Sequence, residues 1–552
     1  NSGRRPTLVK TRNKNALAEL DANREQLAST FATVNALQNT AWTINNRVLD
    51  VLTQVWDANL AVAGLPTREP VPVPDCPIGK DRDVPTLTDS QKKAFSEWKR
   101  EASRIYAHNA STASKKVQIA KILSIAHKFK DEDEIYFPHS YDFRGRIYAT
   151  PMFLNPQGTD TAKGLLTFKN GLPIENQEAA DWLAIQGANT FGYDKVSFLD
   201  RILWTELNTN RIQETAANCF ADLWWTEASK PFQFLAFIFE WAAFKEEGFG
   251  FVSSLPIALD GSANGLQHYS AMLLDKVGGA SVNLIPGHEP EDIYADVAAL
   301  TVKKLRKLLT HGETLNEQDM ALKWLEIGVD RYTTKRSVMV VPYSGTLMSC
   351  RSYLYEYLAD KIADGLKDPF KARTGEACAL LARTVWSAIG ETVLASKEAM
   401  SWLSTAARTT AKAGLPIIWT TPDGFTVVQS YAEQKKKRVK TQLGKQLVYL
   451  TLREDKDELA INKMANASAP NFIHSLDGCA LRMAVCRGLA ENIESYAMIH
   501  DSFGTLAANT GVFSRCLREA FVQLYSDQDV LENMRQQMGA VLDEPLAEIP
   551  QK

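Results

Sequence analysis

Two apolar runs that each end at an aspartate constrain this sequence more than any other feature. PIALDGSANGLQHYSAM, Pro256–Met272, reaches Asp260 after a short apolar run, and SYAMIHDSFGT, Ser495–Thr505, reaches Asp501 in a turn. One such turn alone is typical of an ordinary hairpin, because Asp, Ser and Gly favour turns. Two such strands can also pair with each other, and pairing brings their carboxylates side by side.

Neighbouring carboxylates repel each other unless a cation lies between them. The cation indicated is Mg²⁺, which prefers one or two carboxylates together with water and phosphate oxygens. Two such ions contact both the attacking and the leaving oxygen of a phosphoryl transfer. The aspartate pair therefore predicts metal-assisted chemistry on a phosphate ester.

A third segment, GVDRYTTKRSVMVVPYSGT, carries a periodic pattern. Arg331, Lys335, Met339 and Tyr343 recur at every fourth residue, so on a helix they form one stripe. A solvated basic face would have the same pattern. Beside a carboxylate pair, the stripe predicts a surface for a nucleoside triphosphate, with Arg331 and Lys335 at the phosphates and Tyr343 at the sugar and base. Lys335 is also a candidate acid for the departing pyrophosphate.

The composition neither indicates nor excludes a nucleic-acid partner. Lys and Arg total 62 and Asp and Glu total 65, so any basic surface must be segregated in space. A length of 552 residues predicts several subdomains. The seven cysteines form no CxxC pair and show no zinc-ligand spacing, which favours reduced thiols in a cytosolic protein.

The apolar runs are too short for a membrane span, which needs about 18 residues or more. FQFLAFIFEWAAF, Phe232–Phe244, comes nearest and is interrupted by Glu240, so we expect a core helix. The sequence also has no apolar segment typical of a secretion signal. These features predict a protein without a membrane partner.

The N-terminal quarter is expected to be mostly helical. Apolar residues repeat every three or four positions from about Asn15 to Ile125, and Leu65–Pro77 interrupts them with five prolines. From Tyr136 the pattern changes to short mixed segments with glycine turns, and helical stretches follow to about Gly414.

Strands are expected again in the last third. PIIWTTPDGFTVV and QLVYLTL alternate like strands, and the basic segment YAEQKKKRVKTQLGKQ, Tyr431–Gln446, is predicted to be a loop between them. From Asn466 to the end the pattern is helical, with the strand, turn and strand around Asp501 inside it.

These motifs together resemble a known family. ALDGSANGLQHYSAM, TKRSVMVVPYSGT and MIHDSFGT are similar, in the same order, to the three polymerase motifs of phage-type single-subunit DNA-directed RNA polymerases of autographivirus type. FPHSYDFRGRIYATPMF, FLNPQGTDTAKGLLTF, WTTPDGF and APNFIHSLDG extend the likeness over nearly the whole chain. The resemblance implies an α+β, predominantly helical, right-hand polymerase fold with palm, fingers and thumb.

The resemblance also implies domain boundaries. Residues 1–131 are expected to form a remnant N-terminal connection and the thumb, and residues 132–280 the first part of the palm with insertions. Residues 281–474 are expected to form the fingers, with a specificity hairpin at about 429–456. Residues 475–552 are expected to complete the palm.

The same resemblance assigns catalytic and metal-binding residues. Asp260 and Asp501 are expected to hold two Mg²⁺, with the Gly261 carbonyl as a further ligand, and Lys335 is expected to act in catalysis. The residues expected to bind the substrate NTP are Arg331, Lys335, Tyr343, Tyr294, His474, Arg146 and Lys195, the last next to Asp194.

Contacts with nucleic acid are expected at a second group of residues. His500 is expected at the RNA 3′ end, and Arg144 with Arg146 at the hybrid and the edge of the active site. Core histidines with satisfied nitrogens are the alternative interpretation of His474 and His500.

Two positions favour ribonucleotides over deoxyribonucleotides. Related DNA polymerases typically carry Glu five residues after the first metal aspartate, where its bulk blocks a ribose 2′-hydroxyl, and here that residue is Gly265. The missing side chain is expected to leave room for the hydroxyl, near Tyr343 and His474. Asp501 is followed by Ser502, where DNA polymerases commonly carry Glu.

The basic segment after Tyr431 occupies the place of the family's promoter-reading hairpin. A charged run is usually a solvated face, and cationic side chains bind phosphates without specifying sequence. Gln442 and Gln446 are candidates for contacts with base edges. The residues expected to bind DNA phosphates are Lys435, Lys436, Lys437 and Arg438.

The sequence departs from the family pattern after the stripe. Ser344 and Gly345 follow the tyrosine where the family usually has Gly directly, and Pro342 precedes it. Pro342 lacks a backbone N–H, so we expect it to bend the helix or mark its last turn.

The expected protein is a monomeric catalytic core that transcribes viral genes in the cytoplasm of an infected bacterium. Its partners would be a DNA template and promoter, nascent RNA and NTPs. The family's N-terminal domain and aromatic C-terminal end are expected to be missing from this sequence. Promoter opening is then expected to need the N-terminal domain, either as a separate chain or as a part of the protein outside this sequence. The alternatives are a template-dependent DNA polymerase or primase-like enzyme, and a non-catalytic DNA-binding fragment.

Overall fold

Helices dominate the computed structural model, which describes residues 7–78, 87–287, 289–312, 314–363, 365–444 and 446–551. The helices before the first aspartate motif are α1 Lys14–Ala22, α2 Ala28–Asn39, α3 Asn46–Asp57, α4 Asp89–Phe129, α5 Asp160–Gly164, α6 Gln177–Phe191, α7 Phe198–Leu207, α8 Thr209–Ala217 and α9 Pro231–Glu247. The helices after it are α10 Asn264–Met272, α11 Lys276–Ser281, α12 Ile293–His311, α13 Leu315–Ile327, α14 Arg331–Met339, α15 Leu347–Ala363, α16 Thr374–Thr392, α17 Leu394–Lys412, α18 Ile461–Ala490, α19 Ala507–Ser526 and α20 Val530–Gly539.

The sheets are small. The strands are β1 Val9–Lys10, β2 Trp42–Ile44, β3 His139–Asp142, β4 Ile147–Ala149, β5 Leu166–Phe168, β6 Leu172–Pro173, β7 Val252–Ser253, β8 Ile257–Asp260, β9 Ile417–Thr420, β10 Thr426–Gln429, β11 Ala432–Leu443, β12 Gln446–Leu459, β13 Ala497–Ile499 and β14 Ser502–Thr505. The mostly helical prediction is confirmed, and the predicted domain boundaries stay predictions.

One three-stranded sheet carries both aspartate motifs. Its order is β13-β14-β8, and both pairings are antiparallel. Alternating burial explains the pairing, because Ile257 on β8 and Met498 and Phe503 on the hairpin are buried. The predicted strand, turn and strand around Asp501 is confirmed.

Apolar side chains pack in three clusters. The first surrounds α18 and includes Tyr269 and Phe503, so it supports the sheet of the aspartate motifs. The second surrounds α9, which is apolar on almost every face as expected of a core helix, and includes Phe237. The third joins α12 to α16 and includes Val338 on α14. Each large buried side chain contributes roughly 1.5–3 kcal/mol, so the clusters fix the elements that carry the site.

The basic segment after Tyr431 is not a loop, and that expectation is wrong. Ala432–Leu443 is strand β11, which pairs with β12 in an antiparallel ribbon whose turn includes Gly444 at φ 62°. Backbone hydrogen bonds across the ribbon stabilise these strands, whereas their side chains are largely exposed. The run of charged residues therefore obscures the strand pattern of this segment in the sequence.

All seven cysteines are free thiols. Within the described residues no single helix is long and apolar enough to cross a membrane, and α16 and α17, bent by 96°, pass that test only as a pair.

Candidate active site

The two aspartates lie at the adjoining ends of strands β8 and β14. Asp260 pairs with Ser502 in the antiparallel ladder. Just beyond this pair, the Gly261 N–H donates a hydrogen bond of 3.0 Å to the Asp501 carbonyl. The side chain of Asp260 is 55% exposed, whereas Asp501 is partly buried. The predicted pairing of the two strands is confirmed.

His500 and Asp501 form the two-residue turn between β13 and β14. His500 has φ 54°, in the left-handed region that few residues with side chains adopt, although His is among those enriched there. Its ring packs edge-on against Tyr148, with ring centroids 4.7 Å apart. Burial, followed by the charge of Arg146, lowers the pKa of His500 to about 4, so the ring is neutral at pH 7.

One ring nitrogen of His500 lacks a hydrogen bond among the residues that the structure describes. Its Nδ1 is buried and has no hydrogen-bond partner in the described part of the chain. The interpretation of His500 as a core histidine with satisfied nitrogens is therefore wrong for this nitrogen.

The charge of Asp501 is poorly compensated. The pKa of its carboxyl is raised to about 6, mainly by burial and then by the negative charge of Asp477. Asp260 contributes in the same direction, and Arg146 opposes the change. A divalent cation between the two carboxylates would relieve this repulsion. The residues present therefore fit a metal ion.

The donor set also limits the kind of ion. Over the described ranges, no three His, Cys, Asp or Glu side chains converge in a metal-binding cluster. An ion held by Asp260 and Asp501 thus depends on carbonyl, water or phosphate oxygens for its other ligands, which is the preference of Mg²⁺.

Two lysines that the sequence analysis missed lie beside Asp260. Lys230 Nζ is 3.7 Å from Asp260 Oδ2. Burial, followed by the charge of Lys230, lowers the pKa of Lys163, and Asp260 acts in the opposite direction. Lys163 belongs to the motif TDTAKGLLTF, whereas no sequence signal marks Lys230, which directly precedes Pro231.

The basic stripe begins on α14. Asp330 caps this helix, because its side chain accepts from the Thr333 N–H at 3.0 Å and the Thr333 side chain returns to the cap. The helix ends at Met339, and Tyr343 follows in a 3-10 turn over Val341–Tyr343. The stripe therefore continues past the end of the helix, and Pro342 lies in the 3-10 turn that follows, in agreement with the bend or last turn expected there.

Ser344 closes this turn in a left-handed conformation. Its φ is 61°, and the Gly345 N–H donates to the Val340 carbonyl at 2.8 Å. A glycine avoids the strain that a side chain meets in this region. The departure from the family pattern at Ser344 therefore has a local conformational cost.

Arg331 is positioned by the start of α12. Its Nε donates to Asp292, and its guanidinium lies 5.2 Å from the centroid of the Tyr294 ring. Thr334 Oγ1 donates to the Tyr294 carbonyl at 2.7 Å, so the two helices are joined beside the stripe. Asp292 was not predicted from the sequence, although it lies two residues before Tyr294.

Lys335 lies among other cations. Burial lowers the pKa of Lys335, and the charges of Arg331 and Lys195 lower it further. Lys195 itself pairs with Asp194 at 2.7 Å. Arg331, Lys335 and Lys195 thus form one positive region, and the predicted binding of a triphosphate there stays a prediction.

Tyr343 and His474 stack on each other. Their ring centroids are 4.6 Å apart at an interplanar angle of 29°. His474 Nδ1 accepts from Arg144 Nη1 at 2.6 Å, and burial with the charges of Arg146 and Arg144 lowers the pKa of His474 to about 2. His474 is therefore neutral, with its proton on Nε2.

Two acids, the buried Asp477 and the partly buried Asp142, orient the two arginines of DFRGR. Arg146 Nε donates to Asp477 Oδ2 at 2.7 Å, and Arg144 Nε donates to Asp142 Oδ2 at 2.9 Å. Asp477 also accepts from Asn264 Nδ2 at 3.1 Å, which links it to α10. Asp142 and Asp477 were missed as site residues although both stand inside quoted motifs, DFRGR and SLDG.

The space beside Gly265 is occupied. A Cβ on Gly265 would lie 2.7 Å from Pro342 Cβ and 3.2 Å from the Tyr343 hydroxyl. The Pro342 ring therefore fills the place of a Cβ on Gly265, and the expected room for a ribose 2′-hydroxyl stays a prediction. Glycine is required here for close packing of α10 against the turn that carries Tyr343.

The cations of the ribbon are exposed on β11. Lys436 and Arg438 point to one face by strand alternation, and the Arg438 guanidinium lies 4.4 Å from the centroid of the Tyr449 ring across the ribbon. Lys435 and Lys437 alternate to the other face. Gln442 Nε2 donates to the Gly444 carbonyl at 3.0 Å, and the predicted contact of the Gln446 side chain lies outside the described residues.

Comparison with known proteins gives a consistent family assignment. A family model described as DNA-dependent RNA polymerase matches residues 174–550. The chain is 37% identical to the DNA-directed RNA polymerase of Enterobacteria phage T3 and 36% identical to the T7 RNA polymerase of Escherichia phage T7, over 98% of this chain and 64% of each relative.

A relative from a plant organelle is similar as well. The mitochondrial DNA-directed RNA polymerase 1B of Nicotiana tabacum is 33% identical over 93% of this chain and 49% of its own length. The chain thus spans less than two thirds of the length of these relatives. The matched residues include both aspartate motifs and the whole stripe, and the chain therefore belongs to the DNA-dependent RNA polymerase family.

Proposed function

We propose that this chain is the catalytic core of a single-subunit DNA-directed RNA polymerase, which adds nucleotides from NTPs to an RNA 3′ end on a DNA template. One observation carries the proposal. Asp260 and Asp501 lie together at the ends of paired strands, and Tyr294, next to Arg331, is close enough to Asp501 to sense its charge. A carboxylate pair beside a cationic helix fits nucleotidyl transfer.

Asp260, Asp501 and the Gly261 carbonyl would hold Mg²⁺. Bound there, two ions would lower the pKa of the attacking 3′-hydroxyl and neutralise charge on the departing pyrophosphate. The raised pKa of Asp501, to about 6, fits a carboxylate whose full charge depends on a cation. The count of two ions is part of the proposal.

The triphosphate would bind along the positive region of Arg331, Lys335 and Lys195. Arg331 is already oriented by Asp292, so its guanidinium presents a fixed set of donors. Lys335 would protonate the departing pyrophosphate, because a lowered pKa makes an ammonium group a better acid near neutral pH.

The ribose would lie at Tyr343 and His474. Because His474 Nδ1 accepts from Arg144, its Nε2–H is a donor suited to a 2′-oxygen. Arg146, fixed by Asp477, and His500 would lie at the hybrid and the RNA 3′ end. The preference for ribose then arises from a hydrogen bond that a deoxyribose lacks.

The right-hand arrangement is also proposed. Residues 132–280 and 475–552 would form the palm, 281–474 the fingers and 1–131 the N-terminal connection and thumb. The ribbon of β11 and β12 would contact promoter DNA, with Lys436 and Arg438 at phosphates and Tyr449 on the same face.

Extension of an RNA primer on a preassembled RNA–DNA scaffold tests the function without a promoter. We expect extension with Mg²⁺ and NTPs by the natural chain, weak extension with dNTPs, and loss of at least 100-fold in Asp501→Asn. Asp319→Asn is the matched control, because Asp319 lies on α13 in an ion pair with Lys323.

The result that would reject the proposal is no extension by the natural chain on a scaffold that it binds, which favours a non-catalytic DNA-binding fragment. Equal use of dNTPs would instead favour a DNA polymerase and reject the proposed role of His474.

A further inference from the structure

We infer that Lys163 and Lys230 form a binding site for phosphodiester groups of the RNA strand just behind its 3′ end. The inference rests on the proposed function and adds a site to it. It places the primer strand next to Asp260, at a pair of lysines separate from the cations of the stripe.

The two lysines are part of the immediate surroundings of Asp260. Lys230 directly precedes Pro231, the first residue of α9, and its Nζ is 3.7 Å from Asp260 Oδ2. Lys163, on α5, is partly buried and close enough to Lys230 and Asp260 to sense both charges. The helices α5 and α9 pack against each other, so the two side chains are presented from a rigid base.

The carboxylates nearby are committed to other partners. Asp160 accepts hydrogen bonds from the Phe232 N–H at 2.9 Å and from Gln233 Nε2 at 3.0 Å, so it caps α9. Asp260 is a ligand of the proposed metal site. When Asp260 binds a cation, the charge of Asp160 remains beside Lys163, and one negative charge then faces two ammonium groups.

An anion is therefore needed at this place when the site is loaded. Two ammonium groups that affect each other's charge match a nucleic-acid backbone, which carries one negative charge per phosphodiester. Buried or half-buried ammonium groups gain most from such a partner, because water compensates them less.

The incoming nucleotide is not the best candidate for this anion. Its triphosphate has the separate positive region of Arg331, Lys335 and Lys195, whose acidic neighbours are Asp194 and Asp292. Lys163 instead senses Lys230, Asp260 and Asp160, so the charges named around the two cationic regions differ. The remaining polyanion of the reaction beside Asp260 is the strand that supplies the attacking 3′-hydroxyl.

Primers with one neutral linkage test this site directly. A methylphosphonate replaces either the last or the second-last phosphodiester of the RNA primer, and binding of the labelled scaffold is measured by fluorescence anisotropy without NTPs. We expect one of the two neutral primers to bind the natural protein about three- to tenfold more weakly than the unmodified primer.

The variants Lys163→Gln and Lys230→Gln should weaken binding of the unmodified primer by a similar factor and reduce the salt dependence by about one ion. With the sensitive neutral primer, Lys230→Gln should add no further loss, because the charge that Lys230 contacts is already absent. Lys230→Arg should restore binding. Lys245→Gln is the matched control, since Lys245 lies on the same helix but pairs with Glu206 at 2.7 Å.

Two results would overturn the inference. One is a loss in Lys230→Gln that is equally large for charged and neutral primers, or no loss at all. The other is an unchanged primer affinity with a raised KM for NTP, which would assign the lysines to the nucleotide or the pyrophosphate. Failure of the proposed function is distinguished separately, because it appears as absent extension by the natural protein on the unmodified scaffold that it binds.

Discussion

Arg482 Nη1 donates a hydrogen bond to the carbonyl of Gly145, 2.5 Å away, in the turn between Arg144 and Arg146. Arg482 is fully buried on α18, and its Nη2 donates to Asp423 Oδ1 at 2.8 Å. The turn that presents both site arginines therefore rests on a buried ion pair. Gly145 itself has φ 87°, and a side chain there would lie 2.8 Å from Arg482 Nη1.

Removal of Asp423 should destabilise the protein strongly. Asp423→Ala leaves the Arg482 guanidinium buried without its anion, which costs about 3–5 kcal/mol of the free energy of unfolding. Urea unfolding of both proteins measures the difference. Asp133→Ala is the control, because its pair with Lys169 is exposed and worth about 0–1 kcal/mol. Equal losses in the two variants would contradict this prediction.

The rate of extension should depend on pH through Asp501. At limiting Mg²⁺ we expect the rate to fall as the pH drops through about 6, because the protonated carboxyl binds metal weakly. More Mg²⁺ should move the midpoint to lower pH, since the ion favours the charged form. A pH midpoint that does not change with the Mg²⁺ concentration would contradict the role of Asp501 as a metal ligand.

The same carboxyl should affect stability in the metal-free protein with the opposite trend. Its pKa in the folded state, about 6, is above the ordinary value of 3.8, so its contribution is present below about pH 4 and is lost as the pH rises through 6. Asp501→Asn should therefore be more stable than the natural protein at pH 8 in EDTA, and thermal unfolding at pH 4 and pH 8 tests this. A variant that is less stable at both pH values would show that burial of the charge is not costly.

Gly265 should tolerate alanine only when Pro342 is also changed. In most helices Gly→Ala stabilises, but here the added Cβ meets Pro342 at 2.7 Å, and we expect a loss of roughly 1–3 kcal/mol and a raised KM for NTP. The double variant with Pro342→Ala should recover most of both losses. Thermal unfolding and steady-state extension measure them, and a double variant as impaired as Gly265→Ala alone would exclude the contact as the cause.

His474 should keep one neutral tautomer over the whole range in which the protein is folded. A pKa of about 2 and the hydrogen bond from Arg144 place the proton on Nε2. Nitrogen NMR of histidine-labelled protein should show a protonated Nε2 and a bare Nδ1 for this ring from pH 5 to pH 8. His474→Gln identifies the signal, and a titration between these pH values would contradict the assignment.

Replacement of the β11–β12 ribbon by the corresponding hairpin of a relative should change promoter preference. It should not change the rate of RNA extension on a promoter-free scaffold. The exchange is best made over residues 432–459, because Gln429 is fully buried and donates to the Met464 carbonyl at 2.8 Å. Run-off transcription on two promoters measures preference, and extension of a promoter-free scaffold is the control. An unchanged preference would assign the ribbon another role.

Much of the site was predictable from local pattern. Asp260 and Asp501 follow apolar runs that only a paired strand accommodates, and the four-residue spacing of Arg331, Lys335 and Tyr343 indicates a shared face whether or not the helix is continuous. The stripe breaks at Pro342 for a reason that the sequence already contains, the missing backbone N–H.

Other features depend on tertiary contacts that leave no periodic signal. Lys230 lies against Asp260, 30 positions further along the chain, and nothing in the residues around it indicates that neighbour. The packing of Pro342 on Gly265 joins residues that are 77 positions apart in the sequence, and no local pattern indicates this contact. Strand β11 was hidden because its charges obscure the alternation on which strand prediction depends.

The ribbon of β11 and β12 has a consequence for how such a protein changes over generations. Its side chains are mostly exposed, so substitutions there alter the free energy of folding by about 0.5 kcal/mol or less. Residues such as Asp477 and Arg482, by contrast, each contact several elements of the core. If the ribbon has its proposed role, mutation can explore new DNA targets there while purifying selection keeps the core around Asp477 and Arg482 constant.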